Sequence, residues 1–178
     1  MKTKLIIGAF ALLALTLLLG CDLIDKADDV SFDTELPVYF SINETEVNAE
    51  GKTYNGEVEL DITSDADVSK YASKIKEIKV NRISYYIDGV NPGGVTFNSG
   101  LLRMVSANQV IATLGNTALN EGANGDFITD AAGFNELSSR LKNNKREIIR
   151  MSGNLSTTPI TFRLRCTFYV TVKADALK

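Results

Sequence analysis

The sequence predicts a mainly β chain, an antiparallel β-sandwich with two short connecting helices. The clearest of the observations behind that prediction lies between Ile160 and Val172. Seven alternate positions there are apolar or Cys, and Thr161, Arg163, Arg165, Thr167, Tyr169 and Thr171 fill the places between. Period two means one face in the core and one in water. The same alternation recurs in several other segments, which argues for antiparallel sheets with one solvated face rather than a parallel sheet buried on both. Helical spacing shows in two windows, about 65–76 and 131–143, enough to connect strands and too little to form a layer.

The elements follow in order. Val30, Phe32, Leu36, Val38, Phe40 and Ile42 share one parity, so a strand begins at Val30; Pro37, on the polar parity, removes a ladder donor and sets the strand at an edge or breaks it. Turn residues at Ala49-Glu50-Gly51-Lys52 precede a second strand with Val58, Leu60 and Ile62 inward and Glu57, Glu59 and Asp61 outward. Val68, Tyr71, Ala72 and Ile75 then fit one helical stripe, and Ser64 with Asp67 resembles a capping box, giving a helix over 65–76. The next strand, Ile78 to Ile87, changes parity between Val80 and Ile83, and a β-bulge at Asn81 and Arg82 restores its inward face.

The cluster from Asp88 to Gly94 is a turn leading to a strand at about 95–105, and two strands so joined are expected to pair. A strand at 108–114 runs into a polar loop, 115–126. Asp130 is the N-cap of a second helix with Phe134, Leu137 and Leu141 on one face, ending near Asn143-Asn144. Strands at about 145–155 and 159–173 close the chain. The two helices echo one another, since Tyr71-Ala-Ser-Lys-Ile75 and Leu137-Ser-Ser-Arg-Leu141 each lead through a charged turn to a strand. The echo is either an old duplication or the polar exit that any helix crossing a sandwich end requires.

Ahead of the strands, Lys2 and Lys4 precede a 15-residue apolar run from Leu5 to Leu19, too short to span a bilayer that asks for about 20 residues. The run closes on Leu18-Leu19-Gly20-Cys21, which resembles the lipobox of bacterial lipoproteins. The resemblance implies that 1–20 is a signal peptide cut after Gly20, that the Cys21 thiol carries diacylglycerol, and that its new amino group is acylated, as with palmitate. Two or three such chains anchor firmly where one does not. A plain secreted protein, or an uncleaved interfacial helix, is the alternative. Residues 21–29 form a polar, acidic tether and 30–178 a single domain. Asp22 resembles an inner-membrane retention signal of one lineage, and Lys26-Ala-Asp28-Asp29 loosely resembles an export signal of another. The outer membrane is favoured over the inner, and both stay open. Beyond the lipobox, the chain is similar in style to small β-rich envelope lipoproteins of unknown function.

With Cys21 lipidated, Cys166 has no intramolecular partner, and its apolar parity makes it a buried free thiol rather than a nucleophile. The formal charge is −3, and loss of Lys2 and Lys4 makes the mature chain more acidic still. Nucleic acid is therefore not an expected partner.

The chain has no His, which excludes Ser-His, Cys-His and His-based metal chemistry. Glu57, Glu59 and Asp61 are candidate paired carboxylates, but on a strand they share a solvated face. Asn120, Glu121, Asn124 and Asp126 could wrap Ca²⁺, without the spacing of an EF-hand loop, and an ordinary polar connection is the alternative. No cofactor is expected. Tyr39 and Tyr169 are the clear outward tyrosines, and no Trp accompanies them. The expectation is a membrane-anchored envelope lipoprotein presenting a non-catalytic β-sandwich for binding or scaffolding. Its partners are the bilayer, through acylated Cys21, and a protein or glycan of unknown identity. The alternatives are a carbohydrate-binding module and a carboxylate-dependent glycan hydrolase.

Overall fold

A computed structural model of the protein describes residues 29–176. The signal segment, the lipobox with Cys21, and all of the tether except Asp29 lie outside the described residues.

Ten strands and two helices follow one another: β1 (Asp29–Asn48), β2 (Lys52–Asp61), α1 (Ala66–Lys70), β3 (Ile75–Asn91), β4 (Thr96–Met104), β5 (Gln109–Leu114), β6 (Thr117–Ala118), β7 (Asn124–Asp126), β8 (Ile128–Thr129), α2 (Ala131–Asn144), β9 (Arg146–Leu155) and β10 (Thr158–Asp175). They build an antiparallel sandwich. One sheet has the order β1-β10-β3-β7, the other β2-β9-β4-β5-β8 with β6 added to β4. Leu36, Phe40, Ile83, Leu102, Met151 and Phe168 lie between the sheets, each no more than 2% exposed. Along β10 the alternate residues Ile160 to Val172 are all buried, Cys166 among them. Cys166 is a free thiol, and burial pushes its pKa up, away from a reactive thiolate.

The sheets are joined by three ribbons that fold over at one corner. Residues 29–61 and 146–175 pair antiparallel in both sheets, β1 with β10 and then β2 with β9. The third ribbon is β3 continuing into β4, and here the expectation of a β3–β4 hairpin is overturned: β3 pairs with β10 and β7, while β4 pairs with β9, β5 and β6. The turn cluster at 88–94 is a passage between layers. Its neighbours pass over with it, Ser156 bonding the start of β4 and Thr158 tying the other two crossings together. The Ser156 N–H donates to the Thr96 carbonyl at 2.9 Å, the Thr96 N–H to Ser156 Oγ at 2.9 Å, and Thr158 Oγ1 to the Glu46 carbonyl at 2.5 Å. Gly51 is required there: its φ is +82°, and a Cβ would sit 2.0 Å from the Leu155 carbonyl oxygen.

β1 is an edge strand, as Pro37 indicates. The bulge is also present. Tyr169 faces Arg82 and the next residue, Val170, faces Val80, so Asn81 is the extra residue that returns Ile83 and Ile87 to the core.

The first helix is shorter than its spacing suggests. α1 is five residues long between 3₁₀ turns at Ile62–Ser64 and Ala72–Lys74, and β3 starts at Ile75. Its N-cap is Asp65 rather than Ser64; the Asp65 carboxylate accepts from the N–H groups of Asp67 and Val68, while Ser64 Oγ donates to the Asp61 carbonyl. Both are good capping types, and the preceding 3₁₀ turn commits Ser64 elsewhere.

α2 meets expectation, capped by Asp130 on the Gly133 N–H and ended by Lys145 in the left-handed region. It lies against β3, where Ser138 Oγ accepts the Val80 N–H, so it covers the half of that edge which β7 leaves free. The polar stretch 115–126 is not a plain loop, because it contributes β6 to one sheet and β7 to the other. The two helix–strand units that echo in sequence lead into ribbons crossing the corner in opposite directions, β3 to β4 and β9 to β10. Among the described residues no helix is long and apolar enough to cross a membrane.

Candidate functional site

The outer face of the four-stranded sheet is where side chains of unlike size fall into rows. Registers across β1, β10 and β3 align Glu35 with Tyr169 and Arg82, then Pro37 with Thr167 and Ser84, then Tyr39 with Arg165 and Tyr86. The middle row is small and the outer rows are large. Rows on one face lie two residues apart along the strands, about 7 Å, so two walls about 13 Å apart flank a low floor. The result is a trough of about 640 Å³ running from β1 to β7, within the range of small-ligand sites. A second depression of about 500 Å³ adjoins it, sharing Glu35 and Tyr169 and reaching Asp65 and Asn81.

Each wall joins arginines to aromatic rings. The Arg82 guanidinium stacks 3.9 Å from the Tyr169 ring centre and also pairs with Asp126 of β7 at 3.1 Å. Ser84 Oγ donates to the Tyr169 hydroxyl at 3.5 Å. On the other wall Arg165 lies 5.0 Å from the centre of Tyr86, and Arg163, one row beyond, lies 5.5 Å from Tyr39. Arg163 is bidentate to Asp88, both bonds at 2.9 Å, and its guanidinium holds the Asp88 carboxyl below the usual carboxylate range. Arg165 differs from both: it is exposed, lies by the Tyr86 ring and adds to the positive field at Asp88, but among the described residues it makes no hydrogen bond and no close ion pair. Glu35 is likewise exposed and uncommitted. Such a face can stack a flat or ring-shaped ligand on tyrosines, meet hydroxyls with Thr167 and Ser84, and offer one open guanidinium and one open carboxylate.

The structure distributes the sequence candidates unequally. Tyr39, 46% exposed, and Tyr169 come together on the trough. Sequence reading missed Tyr86, although a signal existed: the bulge at Asn81 places Ile83 and Ile87 inward and so turns Arg82, Ser84 and Tyr86 outward. Glu57 and Glu59 face water on the other sheet, bound to Arg150 at 2.5 Å and Arg146 at 3.8 Å, and Asp61 takes the Thr63 N–H at 2.7 Å. The Ca²⁺ candidates are engaged separately. Glu121 accepts from the Val90 N–H, Asn124 donates to the Gly122 carbonyl and Asp126 pairs with Arg82. Among the described residues no group of three or more Cys, Asp and Glu side chains could hold a metal ion. Cys21 lies outside the described residues.

The chain matches no family model and no curated protein. Solved structures similar to it include the decameric BFDV capsid protein, at 8% identity and TM-score 0.47, covering 81% of this chain and 99% of that one. Desmodium yellow mottle tymovirus, at 10% and 0.37, covers 84% and 89%; turnip yellow mosaic virus, at 9% and 0.37, covers 84% and 97%. None of those proteins' properties carries over to this chain.

Proposed function

We propose that the protein is a lipid-anchored envelope lipoprotein, held at the bacterial outer membrane through Cys21, whose non-catalytic sandwich offers the trough of its four-stranded sheet as a binding face for a glycan. The observation that carries the binding part is the trough itself: three tyrosines and two arginines walling a floor of Pro, Thr and Ser on a rigid sheet. Exposed aromatic rings suit the apolar faces of sugars, and small hydroxyl side chains suit their edges. The lipobox carries the anchoring part. β1 leaves the tether at Asp29, whose carboxylate is held by Lys76 and Lys173, so the tether joins the sandwich at a fixed point. A glycan hydrolase is the poorer fit, because Glu57, Glu59 and Asp61 are each tied to a partner on an open face.

Two measurements test this. Labelled palmitate should enter the wild type and not Cys21→Ala; equal labelling removes the anchor. On a glycan array, Tyr39→Ala and Tyr169→Ala should each lose the wild-type signal while retaining its melting temperature, and unchanged signals remove the trough as the binding face.

A further inference from the structure

We infer that the glycan is acidic, and that Arg165 is the residue that reads its carboxylate. This rests on the binding reading above and adds the ligand class. The face carries three arginines, one beyond the small middle row and two in successive rows on its other side, and the described residues account for two of them. Arg163 is closed by a bidentate pair with Asp88, and Arg82 is shared between Asp126 and the Tyr169 ring. Arg165, between Tyr39 of β1 and Tyr86 of β3, has the Tyr86 ring and feels the Asp88 charge, but Asp88 is already closed by Arg163, and among the described residues Arg165 itself makes no hydrogen bond and no close ion pair. A guanidinium stacked on an aromatic face is held in orientation while its fork of N–H donors points past the ring edge, the geometry that takes a planar carboxylate through two parallel bonds. The tyrosines on either side fix where the sugar ring lies relative to that carboxylate.

The remaining polar groups fit a sugar acid better than an acidic peptide. Two rows along the trough, Glu35 is uncommitted and acceptor-only. It suits hydroxyl donors, which a uronic acid has around its ring, and it repels further acidic groups on a polyanionic peptide. The trough therefore calls for an oligosaccharide with isolated carboxylates spaced by neutral hydroxylated rings. A sulfate or phosphate ester could engage the same fork, and the experiment separates these sources.

The full chain in detergent is titrated with oligogalacturonate, oligoalginate and hyaluronan fragments, each beside its methyl-esterified form, and with a sulfated galactan, neutral mannan and maltooligosaccharides, and poly-glutamate. At least one uronate should bind, its methyl ester should bind about tenfold more weakly, and Arg165→Gln should erase that difference while leaving the melting temperature unchanged. Arg165→Lys should recover only part of the affinity, since an ammonium keeps the charge and loses the fork. Several outcomes overturn the acidic-glycan assignment and leave the binding face standing. They are equal affinity for acid and ester, neutral glycans bound in a Tyr39-dependent way without preference for acids, preference for the sulfated galactan alone, or an Arg165→Gln variant that still separates acid from ester. Binding of poly-glutamate in place of every saccharide overturns it in favour of a peptide. No binding to any member of the panel overturns both readings.

Discussion

On the six-stranded sheet, Glu57 of β2 meets Arg150 of β9 at 2.5 Å, Arg146 meets Glu59 at 3.8 Å, and Arg103 of β4 spends its guanidinium on the Asn108 carbonyl at 2.7 Å. On the four-stranded sheet, Arg165 meets an aromatic ring and Glu35 meets water. The two outer faces have the same origin, polar residues at every second position of antiparallel strands. The first closes its charges across strands, in the manner of a surface that only has to stay dissolved and unpaired. The second also closes Arg163 on Asp88 and Arg82 on Asp126, but it leaves a guanidinium, a carboxylate and the exposed Tyr39 ring open around a depression, with the half-buried Tyr86 and Tyr169 beside them. Among the described residues Glu35 and Arg165 make no hydrogen bond or close ion pair within the fold, and charged groups left open around a depression are what separates a recognition face from a solvated one.

The strongest way to break the contrast is to remove what both faces stand on. Phe168 is fully buried in β10, directly beneath the trough. Phe168→Ala should cost about 3–5 kcal/mol in chemical denaturation, through lost burial and the cavity left behind. Glycan binding should fall with it. A loss under about 1 kcal/mol would mean the sheets repack freely and the trough is not rigid.

Smaller effects should divide between the sheets. Glu147 of β9, 5% exposed, takes the Ser106 hydroxyl at 2.6 and 2.7 Å and the Ser106 and Ile148 N–H groups, with Arg140 nearby at 3.8 Å. It fastens the turn between β4 and β5 to β9 and to α2. Glu147→Ala should cost about 1.5–3 kcal/mol, and amide exchange should quicken at residues 105–108 and not along β1. On the trough side, Asp65 caps α1 and accepts the Thr34 hydroxyl at 2.7 Å, binding the edge strand to the wall of the second depression. Asp65→Ala should cost about 0.5–2 kcal/mol. The Val68 N–H and then the Thr34 hydroxyl hold the Asp65 carboxyl below its ordinary value. A lowered folded pKa gives stability that is complete above the unfolded value, near pH 4, and is lost as pH falls through the folded one. The gap between wild type and Asp65→Ala should thus be constant near neutrality and shrink below about pH 4; a gap that widens on acidification would contradict the assignment.

Much of this arrangement can be read from the chain before folding, for reasons that particular residues make plain. Alternation fixed the inward face of β10, Pro37 marked the edge, the parity change between Val80 and Ile83 required a bulge at Asn81, and Asp130 marked the start of α2. All of these are local rules with a period of two or 3.6. The corner is different. Whether Pro92 to Gly94 closes a hairpin or carries β3 into the other layer is decided with the help of Ser156, more than 60 residues away in the chain, which exchanges hydrogen bonds with Thr96 at the start of β4. The trough is non-local in the same sense. Tyr39, Arg165 and Tyr86 come from three strands, and only the register between them turns three scattered residues into one wall. Asn124 and Asp126, read as loop, face the trough because β7 adds to β3.

The smallest expected effect is the sharpest test of the contrast, because it asks a strong-looking contact to do nothing. Arg150 approaches Glu57 with two nitrogens, at 2.8 and 2.5 Å. Both side chains are about two-fifths exposed, at 40% and 46%, so water already solvates what the pair would otherwise stabilise, and ordering two long side chains offsets part of the attraction. Glu57→Gln should therefore change stability by less than about 1 kcal/mol, and added salt should reduce even that. Glycan binding should be unchanged, since Glu57 lies on the sheet away from the trough. If this substitution weakened binding as much as Tyr39→Ala does, the six-stranded sheet would be part of the recognition surface. Its closed pattern of charges would then have to be explained as a site at rest rather than as a solvated face.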